Sequence, residues 1–139
     1  MYTATLKNME VVAINNSFNN ILEREMDINV WNSLSEIVLV LENRIQTYEK
    51  VKFKLLQKFV EKNDDGKIKT VVIDGNEQYK FKSDQDKLDY RKALTDLLQQ
   101  EVQLQFPVKL QFKDLLQQKI LINGKDMINI KSFFRSLKD

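Results

Sequence analysis

The chain has 139 residues, which fits one domain with a hydrophobic core of its own. It contains no histidine and no cysteine, which excludes Ser-His-Asp and Cys-His catalytic groups, disulfides and zinc-thiolate sites. Its 22 basic and 20 acidic residues leave a net charge of +2, too small by itself to argue for nucleic acid.

Only three glycines and one proline interrupt the chain, so long, mainly helical elements are expected. No run of eighteen apolar residues exists, and no transmembrane helix is expected. "MYTATLKNMEVV" lacks the basic-then-apolar plan of a signal peptide. Charge is unevenly spread: residues 1–48 carry three basic and six acidic residues, residues 108–139 seven basic and three acidic.

"YTATLK" alternates weakly and predicts a short strand over Tyr2–Leu6. Asn8 then caps a helix near residues 9–25, with Glu10 in its first turn. Val11, Ile14, Phe18, Ile21 and Leu22 form its apolar face. Asp27 or Asn29 can cap the next helix. Leu34, Val38, Leu41, Ile45, Tyr48, Leu55 and Phe59 keep a near-heptad stripe from about Val30 to Lys62. At 1.5 Å per residue such a helix is roughly 50 Å long. It should be the spine of the domain or enter a coiled-coil contact.

"KNDDGKIKTVVIDGNEQYKFKSDQD", from Lys62 to Asp86, is the most site-like stretch. A calcium-binding EF-hand loop needs oxygen ligands at positions 1, 3 and 5, glycine at 6 and glutamate at 12. With Gly66 at position 6, Glu61, Asn63 and Asp65 fit, but position 12 falls on Val72. With Gly75 at position 6, Val72 falls on position 3. The stretch reads better as a hairpin. Gly66 ends the long helix, "KIKTVVI" is a strand, "DGN" a turn and "EQYKF" the return strand. Ser83 to Asp86 then form a capping box that opens a helix over about Asp84 to Glu101. Leu88, Tyr90, Leu94, Leu97, Leu98 and Val102 supply its apolar face. The two helices should pack antiparallel.

In "VQLQFPVKLQF" the period switches to two: Val102, Leu104, Phe106, Val108, Leu110 and Phe112 alternate. Pro107 makes this an edge or broken strand. Asn123-Gly124 predicts a second hairpin turn. Ile130, Phe133, Phe134 and Leu137 predict a short closing helix.

"LKN" leading into an apolar helix comes first, then a long charged helix ending in "EKNDDGK". Gly75, Tyr79, Phe81, Asp86, Tyr90, Leu94, Leu97, Leu98, Glu101 and Val102 follow in order. With the alternating strand and final helix, this plan resembles a family of small uncharacterised proteins of tailed phages of Gram-positive bacteria, encoded near tail and lysis genes. The resemblance spans nearly the whole chain. Its matched positions are a cap, a turn and core residues, with no catalytic motif among them. It implies phage origin and a structural or interaction role, in the host cytoplasm during infection or in the virion.

Lys50, Lys54, Lys58 and Lys62 recur every fourth residue and so share one drifting helix stripe. They are the candidate contacts for an anionic partner, either nucleic-acid phosphates or an acidic protein. The bland alternative weighs more: a solvated face offset by Glu49, Glu61, Asp64 and Asp65. Phe53, between Lys52 and Lys54, serves either a single-strand binder or the core. Trp31, the only tryptophan, reads as packing or staple before interface anchor. Asp84, Asp86 and Asp89 are explained by a helix start. Seven glutamines between Gln99 and Gln118 are oligomer contacts or the solvent side of strands.

The expected fold is α+β and mainly helical: a single domain over residues 1–139, with a long antiparallel helical hairpin, an inserted β-hairpin and a small C-terminal antiparallel sheet. No catalytic residue, metal or cofactor is expected. The expected function is a non-enzymatic phage protein acting through protein partners, phage virion or host proteins or its own copies, as a tail-associated or assembly factor. The alternatives are a small nucleic-acid-binding regulator and an inhibitor of a host defence protein. No membrane partner is expected.

Overall fold

The computed structural model describes residues 1–107 and 110–139. The chain is α+β and mainly helical, with five helices and two two-stranded antiparallel sheets among the described residues. It gathers into two compact units, residues 1–46 with 99–139, and residues 47–98.

The first unit opens with β1 (Tyr2–Lys7), which leads directly into α1 (Asn8–Leu22). The Glu10 carboxylate accepts the Lys7 amide at 2.9 Å, so Lys7, not Asn8, is the capping position. Asn8 is buried instead and accepts from Arg44 Nε at 3.0 Å. The strand β4 (Glu101–Phe106) pairs antiparallel with β1, setting Tyr2 against Phe106, Ala4 against Leu104 and Leu6 against Val102. Those residues form the apolar face, while Thr5 and Gln103 oppose each other on the polar face. The small sheet therefore takes its second strand from the N-terminus. Phe112, the last residue of the alternation, does not extend the strand but starts α4 (Phe112–Leu116). Pro107 ends the ladder, and the Asp114 carboxylate accepts the Gln111 amide at 2.8 Å to open the helix. Val108, part of the same alternation, lies outside the described residues.

The hairpin turn expected at Asn123-Gly124 is absent. The Asn123 side chain accepts the Asp126 amide at 2.8 Å and caps α5 (Gly124–Ser136). An Asn side chain can serve a turn or an N-cap, and the burial of Ile130 and Phe133 on the helix that follows favours the cap. The helix buries Ile130 and Phe133. Phe133 meets Phe18 and Phe106 edge-on, with ring centroids 5.1 and 5.2 Å away. After α5 the backbone returns to β1, where Thr3 and Lys138 exchange two hydrogen bonds of 2.7 Å. The first part of α2 (Ile28–Phe59) buries Leu34, Ile37, Val38 and Leu41 in this core.

The second unit holds residues 47–59 of α2, the hairpin of β2 (Thr70–Ile73) and β3 (Asn76–Tyr79), and most of α3 (Asp84–Gln99). The turn is Asp74-Gly75 with φ of 53° and 80°, both left-handed, as a two-residue hairpin with right-twisted strands requires. The α2 helix stops at Phe59, before the predicted Lys62. Its next residues join the hairpin base instead: Glu61 donates its amide to Lys80 and its carbonyl accepts from Lys69, both at 2.8 Å. The Lys82 amide meets the Phe59 carbonyl at 3.0 Å, so α3 begins where α2 ends and runs back antiparallel. Leu56, Val60 and Tyr90 form the small core, with Leu55, Phe59, Ile68, Phe81 and Leu94 packed on it.

Candidate functional site

Lys50, Lys54 and Lys58 stand on the outer face of α2, and all three are exposed. Lys62 is exposed too, but it lies beyond the helix, bridged to Ile68, and leaves the stripe. The structure brings a different lysine to the row. The Lys82 ammonium donates to the Lys58 carbonyl at 3.1 Å, satisfying one of the open carbonyls at the end of α2. Nothing in the spacing of the stripe pointed to Lys82, because a hairpin separates it from α2 in sequence. The Lys58 ammonium itself rests over the Phe59 ring, 5.4 Å from its centroid.

The carboxylates expected to offset these lysines are used elsewhere or lie apart. Glu61 faces Lys80 at 3.8 Å, the single ion pair among the described residues. Asp65 accepts the Lys67 amide at 3.0 Å inside the turn that Gly66 completes with φ of 82°. Two of the three oxygen positions of the EF-hand reading are thus tied into a salt bridge and a turn. Among the described residues no three Asp or Glu side chains converge as a metal site would require.

Phe53 is 51% exposed and Val51 39%, one on each side of the lysine row. In the hairpin Val72 is 72% exposed, with Ile73 and Tyr79 also outside. Ile73, Tyr79 and Phe81 line a shallow groove of about 490 Å³ that ends at Ser83 and Asp84. At that helix start Ser83 Oγ accepts the Asp86 amide at 3.0 Å and donates to the Asp86 carboxylate at 2.9 Å. Asp89 accepts from Gln85 at 2.9 Å. Asp86 of the acidic cluster is thus engaged in the cap of α3, and Asp89 in a side-chain bond within the helix.

Trp31 donates its ring N–H to the Leu22 carbonyl at 3.2 Å, fastening the end of α1 to the start of α2. Gln103 and Gln105 take the exposed positions of β4, and Gln118 accepts the Asp27 amide at 2.7 Å.

A polar cluster in the first unit was not foreseen. Asp126 is buried and accepts from Ser17 Oγ at 2.8 Å and from Asn20 at 3.2 Å. Asn129 donates to Ser17 Oγ at 3.0 Å. The pattern Asn123-x-x-Asp126 was its available sequence signal, read as a turn instead of a cap. Both carboxylate oxygens are engaged, which makes this a fastening between α1 and α5. No protein family, curated protein or solved structure matches the chain.

Proposed function

We propose that the chain is a non-enzymatic protein that docks protein partners through its second unit. One observation supports this reading most. Among the described residues of that unit, five hydrophobic side chains are buried (Tyr48, Leu56, Val60, Tyr90, Leu97), while six large ones are exposed (Val51, Phe53, Val72, Ile73, Tyr79, Leu88). These side chains leave apolar surface on the unit that a protein partner could cover. The resemblance to tailed-phage proteins gives the setting: a tail-associated or assembly factor, present in the host cytoplasm during infection or carried in the virion.

The test places a photo-crosslinking residue at Val72, at Leu88 or, as a control in the first unit, at exposed Glu36. Cells are infected with phage encoding these variants. A discrete protein adduct from Val72 and Leu88 but not Glu36 supports docking. A phage structural protein in that adduct, with the chain found in purified particles by mass spectrometry, supports the tail role. A host protein supports inhibition of host defence, and an adduct of two copies supports self-association. Absence of any discrete adduct counts against the whole reading.

A second reading, a nucleic-acid-binding regulator, draws on the half-exposed Phe53 ring beside exposed Lys50 and Lys54. Aromatic stacking between basic residues is how single strands are held. It predicts steeply salt-dependent DNA or RNA binding that is lost in the Lys54→Glu, Lys58→Glu double variant. No binding at low salt removes it.

A further inference from the structure

We infer that the lysine row of α2 takes an acidic, amphipathic segment of the protein partner. This rests on the docking role proposed above and names the chemistry of what docks. Lys50, Lys54 and Lys58 are exposed, one helical turn apart, and none forms an ion pair among the described residues. Four residues of helix rise about 6 Å, so carboxylates at every fourth position of a partner helix would meet the same spacing. Among the described residues no carboxylate lies within ion-pair distance of these three lysines: Glu61 faces Lys80, and Asp65 accepts the Lys67 amide. An acidic partner would give these lysines the ion pairs that they do not form with the described residues.

The apolar borders decide the class of partner. Phe53 flanks the row at Lys50 and Val51 flanks it at Lys54, and both are exposed. A nucleic acid offers phosphates for the lysines and a base for Phe53, but nothing for Val51. An acidic segment with interleaved apolar side chains satisfies all of these positions. The row is also entirely lysine, whose ammonium is a strongly hydrated point charge, whereas bidentate phosphate recognition favours arginine.

The probe is a fluorescein-labelled helical peptide with glutamate at every fourth position and leucine between. Its comparators are the same peptide with glutamine for glutamate, and a short oligothymidine. Anisotropy titrations use the full chain at about 50 mM and about 300 mM salt, since screening lengths fall over that range. The acidic peptide should bind at low salt, and the glutamine peptide should not. Lys54→Glu with Lys58→Glu should weaken binding about tenfold or more. Phe53→Ser should weaken it about fivefold. All three sites are on the surface, so unchanged thermal midpoints will show that the variants fold. The inference is overturned if the acidic peptide does not bind, if the glutamine peptide binds as well, if the variants bind unchanged, or if oligothymidine binds in preference. The crosslinking result is read separately. An adduct through Val72 that survives the lysine substitutions keeps the docking role and removes the lysine row from it. No adduct at all removes the docking role, whatever the peptide titration shows.

Discussion

Ser17 and Asp126, 109 residues apart, meet through a hydrogen bond of 2.8 Å that ties the middle of α1 to the first turn of α5. Asp126 also accepts from Asn20, and its amide is held by the Asn123 cap. Removing the carboxylate leaves the buried Ser17 hydroxyl without its acceptor, while the exposed Asn20 amide can turn to water. Asp126→Ala should therefore destabilise the chain by about 3 kcal/mol, and Ser17→Ala by about 1–2 kcal/mol. The double variant should lose less than the sum of the two, because each single change already breaks the shared bond. Urea unfolding of the four proteins gives the coupling. An additive result would show that the two side chains act independently.

How much of this was legible in the sequence differs by element. The stripe Leu34, Val38, Leu41, Ile45, Tyr48 could be read because helical periodicity is local and long. The Ser83 cap and the Asp74-Gly75 turn could be read because their chemistry lies within four residues. Pairing between distant segments could not. Nothing local says that β4 joins β1, since alternation marks a strand but not its neighbour. Asn123 was ambiguous between turn and cap, and burial of Ile130 and Phe133 on α5 settles it. At the candidate site the exposure of Lys50, Lys54 and Lys58 followed from spacing. The loss of Lys62 and the arrival of Lys82 depend on the hairpin base, where Glu61 bonds to both strands.

Phe133 is fully buried and its ring contacts Phe18, Phe106 and Phe134 edge-on. It connects α5 to α1 and to the sheet. Phe133→Ala should cost about 3–5 kcal/mol through lost burial and the cavity left behind. Phe133→Leu should cost less, because it keeps most of the volume but loses the edge-on ring contacts. Thermal unfolding ranks the two, and equal losses would contradict a packing role specific to the ring.

Asn15 carries a different liability. It is 7% exposed on α1, and its Oδ1 is buried with no hydrogen-bond partner among the described residues. A buried carbonyl without a partner costs free energy that an apolar side chain of similar size would not. Asn15→Leu should stabilise the chain by about 1–2 kcal/mol. Asn15→Asp should destabilise it, because it places a charge in the same setting. A loss of stability in Asn15→Leu, measured by urea midpoint, would show that the amide is needed.

Tyr48 and Tyr90 make the second unit sensitive to alkali. Burial pushes the Tyr48 phenol above its ordinary pKa, and Glu49 adds to the shift. Burial also raises Tyr90, followed by Tyr48, Tyr79 and Glu49 as neighbours. The folded state thus favours both neutral phenols. Their contribution is fully present below the unfolded value of about 10 and is lost as pH rises through the higher folded values. Stability should fall above about pH 10, and Tyr90→Phe should flatten that fall. Tyr48→Phe should in addition lower the midpoint at which Tyr90 ionises, since a neighbour that opposes its charge is gone. Phenolate absorbance against pH, with thermal midpoints at each pH, measures both. A Tyr48→Phe protein whose Tyr90 titrates unchanged would remove Tyr48 from the causes and leave burial, Tyr79 and Glu49.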